Sequence, residues 1–364
     1  WLRDRPRRVP QAIGQAAPPA DPPWAPHHSF QIGNGFYTLA GSADGRCHAR
    51  SLRVGGRGPE LDLSKRSGER LQLCGKFLYL RELDDRPGPL WSLGWQPMRH
   101  AGHDYGIARL SPTSLRFVNS RDGLRAEALV EIAEADALEH WRIRLENQGA
   151  EDRTIELTTY QELALAAWDG YRRTPAYNAI HVGTCFVRAL GALIARNRHL
   201  KPEHAKGFPF AREVMFHAAA GDADRVRLVG YQDARPCFLG MGTPAEPEGL
   251  LAGRFRPPED EGLLYGFDPI ASLRLLVTVP AGGVTELAIV DGYAPDEQEA
   301  ARLIAQRLGL SRPEPARLAA LFEHARTVDG SLRRDARAPA PFRFSEDGTE
   351  LVLTGTTPTP WSHV

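Results

Sequence analysis

Residues 75–97 read Gly-Lys-Phe-Leu-Tyr-Leu-Arg-Glu-Leu-Asp-Asp-Arg-Pro-Gly-Pro-Leu-Trp-Ser-Leu-Gly-Trp-Gln-Pro, and this stretch decides the fold. Phe77, Tyr79 and Arg81 alternate with Leu78, Leu80 and Glu82, so a strand here carries packing groups on both faces. Asp84-Asp85-Arg86-Pro87-Gly88 supplies turn residues, and Leu90, Trp91, Leu93 and Trp95 open a returning strand. The expectation is a long-stranded antiparallel hairpin. Trp91 and Trp95 share one parity of the returning strand, which assigns both to the core.

The same alternation extends outward. Phe36-Tyr37-Thr38-Leu39 follows the turn signal Gly33-Asn34-Gly35. Residues 124–132 read as a strand. His140 to Glu146 alternates without a break and puts Trp141, Ile143 and Leu145 on a buried face. The turn residues 147–152 bring the chain back into residues 154–163, expected to pair with the strand before them. Shorter strands are expected at 181–187, 192–196, 213–218 and 237–240, then stronger ones at 272–279 and 285–290, separated by Pro280-Ala281-Gly282-Gly283. Many strands joined by turns, without strand–helix alternation, predict an all-β protein built as a large antiparallel sandwich. Helical periodicity enters only after Tyr293, where Pro295 suits a first helical position and Ala300, Leu303, Ile304 and Leu308 share a face. A second helix is expected around Leu318, Leu321, Phe322 and Ala325.

These readings divide the chain into a Pro- and Arg-rich linker (1–28), a sandwich (29–293), a helical linker (294–341) and the start of a following, truncated sandwich (342–364). The chain opens on Trp1 and closes on Val364, and it reads as a piece of a longer polypeptide. Its 364 residues carry 45 Lys and Arg against 45 Asp and Glu, so no net field favours nucleic acid or anionic lipid. No apolar run approaches the roughly 18 residues of a membrane helix. Cys47, Cys74, Cys185 and Cys237 are widely spaced and read as free thiols in a reducing compartment.

Several pieces together resemble the amino-terminal supersandwich module of glycoside hydrolase family 94, a galactose mutarotase-like sandwich. That family holds cellobiose and chitobiose phosphorylases, 1,2-β-oligoglucan phosphorylase and the phosphorylase-like half of cyclic β-1,2-glucan synthase. In family order the pieces are Asn34-Gly35-Phe36-Tyr37, the 77–97 stretch, the 141–147 strand and the Thr-Tyr-Gln-Glu-Leu of 159–163. They continue with Leu190-Gly191-Ala192-Leu193-Ile194-Ala195-Arg196, Phe267-Asp268-Pro269-Ile270-Ala271-Ser272-Leu273-Arg274 and Gly292-Tyr293-Ala294-Pro295-Asp296-Glu297. The tail from Phe344 to Trp361 is similar to the opening of a second sandwich, so the synthase-like tandem arrangement fits better than a simple phosphorylase. One departure is Gly41-Ser42-Ala43-Asp44-Gly45-Arg46-Cys47-His48, which lacks the aromatics that members usually carry there.

The resemblance implies a module without catalytic residues of its own, packed against an (α/α)6 catalytic barrel of the same polypeptide. In that barrel an acid protonates the glycosidic oxygen and inorganic phosphate, a substrate, acts as nucleophile. It implies no cofactor, a β-glucan oligosaccharide as ligand, a homodimer, and a cytoplasmic site, as part of an inner-membrane-tethered protein in the synthase case. The residues agree in part. Glu82, Asp84 and Asp85 sit at a hairpin turn, Glu259-Asp260-Glu261 in a Pro- and Gly-rich loop, and Asp268 before Pro269, where capping explains it. None forms the facing pair that a glycosidase in its own right would need. His100 and His103 are separated by Gly102 and lack further patterned ligands, which argues against a metal. Among the aromatics, Trp168-Asp169-Gly170-Tyr171-Arg172-Arg173 reads as a loop between strands, and Trp168, Tyr171 and Arg172 are the candidate sugar-contacting residues. The alternative is an interdomain or dimerisation scaffold without sugar affinity.

Overall fold

The computed structural model describes residues 29–51, 61–66, 74–83, 87–99, 104–173, 175–197, 213–265, 268–323, 342–344 and 351–353. The expected linker at 1–28 and the His100/His103 pair lie outside these residues. In chain order the strands begin with β1 (Ser29–Gly33), β2 (Tyr37–Ser42), β3 (Cys47–Ser51), β4 (Leu61–Ser64), β5 (Lys76–Glu82) and β6 (Trp91–Ser92). Longer strands follow as β7 (Asp104–Ser111), β8 (Ser114–Arg121), β9 (Leu124–Ile132), β10 (Leu138–Asn147) and β11 (Arg153–Ala166). Helices α1 (Trp168–Arg173) and α2 (Pro175–His181) lead into β12 (Val182–Val187), β13 (Ala192–Asn197), β14 (Val214–Gly221) and β15 (Val226–Ala234). Then come α3 (Arg235–Leu239), α4 (Glu248–Leu251), β16 (Gly262–Tyr265), β17 (Pro269–Val279) and β18 (Val284–Ala294). The chain continues as α5 (Glu297–Leu308), α6 (Pro315–Glu323) and the hairpin β19 (Phe342–Phe344) and β20 (Leu351–Leu353).

Among the described residues, two antiparallel nine-stranded sheets face each other. One runs β1-β2-β3-β4-β11-β17-β15, with β5 paired to β11 and β3, and β6 paired to β5; the other runs β16-β12-β13-β14-β18-β10-β9-β8-β7. Between them lies a core that includes Leu39, Leu78, Leu80, Trp91, Trp95, Phe117, Trp141, Leu157, Leu275 and Ile289. Both tryptophans of the opening stretch are buried there, Trp91 from β6 and Trp95 from the turn that follows it. Strand alternation is cleanest where one face meets water: β9 alternates buried and half-buried residues along its whole length. On β11 to β14 it fades because both faces are covered. Helices α5 and α6 bury Leu303, Ile304, Leu318 and Phe322 against the outer face of the second sheet, with Ile194, Phe216 and Val290. The segment carrying α3 and α4 buries Phe238, Leu239 and Leu250 against Phe77, Tyr79 and Tyr160 on the outer face of the first.

Five local expectations are corrected. The returning strand after β5 is only Trp91–Ser92, because Gly94 and Pro97 sit in a turn that leaves the sheet. β11 does not pair with β10. The Asn147 turn instead carries the chain across to the other sheet, where β11 pairs with β17, β5 and β4 while β10 pairs with β9 and β18. Asn147 holds that crossover: its amide donates to the Glu151 carbonyl at 2.7 Å and the Val279 carbonyl at 3.2 Å, and its Oδ1 accepts from Gly149 N. Residues 237–239 belong to the helix α3, with Gly240 at its C-cap, since Pro236 at its start is compatible with α but not with a central strand. The 168–173 loop is the helix α1. Finally, Pro295 precedes α5, whose N-cap is Asp296; its carboxylate accepts from Glu299 N at 2.8 Å. Asp296→Ala is expected to lower stability by about 1 kcal/mol, read by urea denaturation, and an unchanged midpoint would remove the cap from the account.

Candidate functional site

Two polar clusters stand out against this apolar frame. The first lies where β11 ends and α1 begins. Lys65, just past β4, places Nζ 2.9 Å from Glu162 Oε2 and 2.7 Å from Asp268 Oδ1. Arg235, at the start of α3, reaches Asp268 Oδ2 at 3.2 Å and Glu162 Oε2 at 3.4 Å, and Tyr160 OH donates to Glu162 Oε1 at 2.9 Å. Burial works against the Lys65 ammonium, but Glu162 and Asp268 hold its pKa above the ordinary lysine value. Asp268 adopts φ of 51°, a left-handed conformation that Asp tolerates better than most residues. Two cations and two anions leave the cluster neutral, and Asp268 and Arg235 remain partly open to solvent.

Of the residues nominated from the sequence, Tyr171 lies beside this cluster. Burial, the largest influence, raises its phenol pKa, and Lys65, Asp268 and Glu162 are all within electrostatic range. Arg172 is exposed on the same short helix. The Trp168 side chain is outside the described residues. Of the carboxylates weighed from the sequence, Asp268 is part of this cluster and others are engaged elsewhere: Glu82 pairs with Arg153, Glu259 with Arg188, Asp260 with Arg256 and Glu261 with Arg317. Asp84 and Asp85 lie outside the described residues.

The second cluster sits between the sheets, at positions whose neighbours along each strand are core residues. Lys76 Nζ donates to Glu139 Oε1 and lies 3.3 Å from Asp291 Oδ2. Gln161 Nε2 donates to Asp291 Oδ1 at 2.7 Å, and His217 Nδ1 meets the same oxygen at 2.6 Å. His217 Nε2 is 2.6 Å from Thr159 Oγ1, which already accepts from Leu273 N at 2.8 Å. The assignment that satisfies every atom has the Thr159 hydroxyl donate to Nε2, which places the imidazole proton on Nδ1, facing Asp291.

Thr159, His217 and Asp291 thus form a hydroxyl–imidazole–carboxylate chain, the atom order of an acyl-transfer triad. The surroundings argue against that chemistry. The adjoining cavity, lined by Lys76, Thr159, Gln161, His217, Asp291 and Trp141 among others, measures about 30 Å³, room for about two waters and not a sugar ring. Its outer wall is the 42–46 turn against the 92–98 turn. Asp44 ties the first together by accepting from Ser42 Oγ and Arg46 Nε, and Gly45 approaches Gly94 so closely that a Cβ there would lie 2.7 Å from its Cα. The stretch that departs from the family pattern therefore has a packing role here. Among the described residues no group of three or more His, Cys, Asp or Glu side chains is arranged to hold a metal ion.

With the sandwich and both clusters described, comparison with known proteins places the chain. The family model for the glycosyl hydrolase 94 supersandwich domain matches residues 70–308, well over half of the sequence. The chain belongs to this family. The glycosyl hydrolase 94 match spans β5 to α5 and so takes in the interior network and most of the α1 cluster. Among curated proteins, the cyclic β-(1,2)-glucan synthase NdvB of Rhizobium meliloti is 31% identical over 234 residues, covering 63% of this chain and 8% of that protein. Solabiose phosphorylase of Paenibacillus borealis is 27% identical over 180 residues, covering 49% of this chain and 21% of that protein. The chain thus spans only a small part of either relative. Among solved structures, a GalM/aldose epimerase homologue from C. elegans aligns with a TM-score of 0.40 at 8% identity, covering 73% of this chain and 98% of that one, a likeness of outline only. No described helix is long and apolar enough to cross a membrane.

Proposed function

We propose that this chain is a non-catalytic, carbohydrate-associated module of a larger family 94 polypeptide of the phosphorylase or glucan synthase type. The observation that carries this reading is the supersandwich match over residues 70–308. Phosphorolysis would belong to an (α/α)6 barrel of the same polypeptide, with inorganic phosphate as substrate and no cofactor in this module. The flanking segments 1–28 and 342–364 would be a linker and the start of a second sandwich, and the working protein a cytoplasmic homodimer, membrane-tethered if it is a synthase.

Within the module the α1 cluster is the reading's sugar contact. A neutral ligand asks for charges that cancel locally, which Lys65, Arg235, Glu162 and Asp268 provide, and pyranose rings favour a flat aromatic neighbour such as Tyr171 or Trp168. A purely structural role is the second reading. It is favoured by the way those four groups already satisfy one another.

Titration of the chain with β-1,2-glucooligosaccharides, followed by tryptophan fluorescence, separates the two. A saturable change that is lost in Tyr171→Ala and Trp168→Ala supports sugar contact at α1, and a silent titration supports the scaffold. Under either reading the isolated chain releases no glucose 1-phosphate from a β-glucan in the presence of phosphate; robust release would overturn both.

A further inference from the structure

The Lys76 cluster has an unusual charge count for a protein interior. One ammonium is shared by two carboxylates, all at most 6% exposed, and the imidazole in this cluster lies on Asp291, not on Glu139. Lys76 is divided between them, and an ionised carboxylate without a cation of its own is strongly disfavoured in a low-dielectric interior. Asp291 is the better stabilised of the two: it receives His217, Gln161 and Lys76. Glu139 receives Lys76 on Oε1, while its Oε2 meets no hydrogen-bond partner among the described residues. Tyr37 OH and Trp141 Nε1 stand near this carboxyl without closing a hydrogen bond to it, and Gln161 Oε1 in the cavity wall is also unmet. Donors and acceptors left open side by side suit water, which offers both.

We propose that this inter-sheet site binds a proton, which Glu139 takes up beside the Lys76–Asp291 pair while water fills the adjoining cavity. The proton comes from solvent and forms an O–H bond at Oε2, the oxygen that Lys76 leaves open; no other bond is made or broken. Every element packed around Glu139 contributes to the balance. Lys76 on β5 opposes protonation, Asp291 on β18 promotes it, Tyr37 on β2 and Cys47 on β3 present neutral groups, and His217 on β14 is committed to Asp291. The electrostatics agree with the geometry. Burial, the largest influence, pushes Glu139 up to about 7 with Lys76 opposing and Asp291 adding, whereas for Asp291 burial is outweighed by His217 and Lys76, which hold it well below the usual carboxylate range.

A carboxyl whose folded pKa is raised binds its proton more tightly in the folded state, so its contribution is full below the unfolded value and is lost as pH rises through the folded one. Denaturant unfolding of the wild-type chain and of Glu139→Gln tests this directly. From about pH 5 to pH 8 the wild-type unfolding constant is expected to rise on the order of 50-fold more than that of the variant. Infrared difference spectra of the wild type supply a readout that needs no variant: a protonated-carboxyl band present at about pH 5.5, above the range where ordinary carboxyls titrate, and lost by about pH 8.5. Equal pH dependence in the two proteins, or a wild type without that band, would overturn the proposal. If Glu139→Gln does not fold, the wild-type titration alone decides.

Discussion

Replacing Lys76 by Met is expected to destabilise the chain by about 3–5 kcal/mol, the range for removing one partner of a buried ion pair. The residue sits on β5 opposite Gln161 of β11 and Cys47 of β3, so its side chain points between the sheets from the middle of the first one. Met matches its length but leaves Glu139 and Asp291 facing each other without a cation. The loss should be larger at pH 8 than at pH 5.5, because burial pushes Glu139 up to about 7 and its protonated form would relieve the repulsion. Adding Glu139→Gln to Lys76→Met should recover part of the loss, with a coupling energy beyond the sum of the single changes. Urea denaturation of the two single variants and the double variant at both pH values gives the cycle. A loss below about 1 kcal/mol for Lys76→Met would mean that the carboxylates are solvated in the folded protein.

The second large effect is expected at Phe238. This ring is fully buried under α3 and packs against Tyr160 at 4.8 Å between centroids, Tyr79 at 5.9 Å and, edge-on, Phe255 at 6.1 Å. It is the apolar anchor of the 235–257 segment on the outer face of the first sheet, and Tyr79 OH adds a polar one by donating to the Pro244 carbonyl at 2.8 Å. Phe238→Ala is expected to cost about 3–5 kcal/mol, through lost burial and the cavity left behind. Amide exchange should accelerate in residues 235–257 before it does in β11 and β17, because the segment can lift while the sheet stays paired. Tyr79→Phe, which removes only the hydroxyl, should cost about 1 kcal/mol. Uniform exchange across segment and sheet in Phe238→Ala would show that the two unfold as one unit.

Both residues illustrate what was legible beforehand. Strands β9 and β10 could be read closely because one of their faces meets water, and alternation encodes that directly. The pairing of β11 could not be read from its own residues. Its burial on both faces erases the period, and the choice of partner rests on Asn147 hydrogen bonding to carbonyls more than a hundred residues away. The helices α1 and α3 are too short for a 3.6-residue period to register against a background of strands.

The interior network was hidden for a related reason. Lys76, Glu139, Thr159, Gln161, His217 and Asp291 come from five strands in two sheets and share no local motif. One signal was present. Lys76 and Glu139 occupy the same parity as Leu78 and Leu80, and as Trp141, Ile143 and Leu145, so each is a charge at a core-facing position. Among the surface candidates, the helical stretch at 168–173 could be singled out by composition, but its neighbours Lys65, Glu162, Arg235 and Asp268 could not.

The sequence by itself determined the class of this protein. Alternating apolar residues, turn chemistry and an ordered set of family-like segments specify an antiparallel supersandwich, because a half-buried strand writes its periodicity into its own residues. Only the tertiary structure decided which strands share a sheet, that α5 and α6 lie against one outer face, and that four strands bring an ammonium, two carboxylates and an imidazole into one buried site. Those outcomes depend on contacts between residues far apart in the chain, and the energy of a buried charge is set by what surrounds it in space.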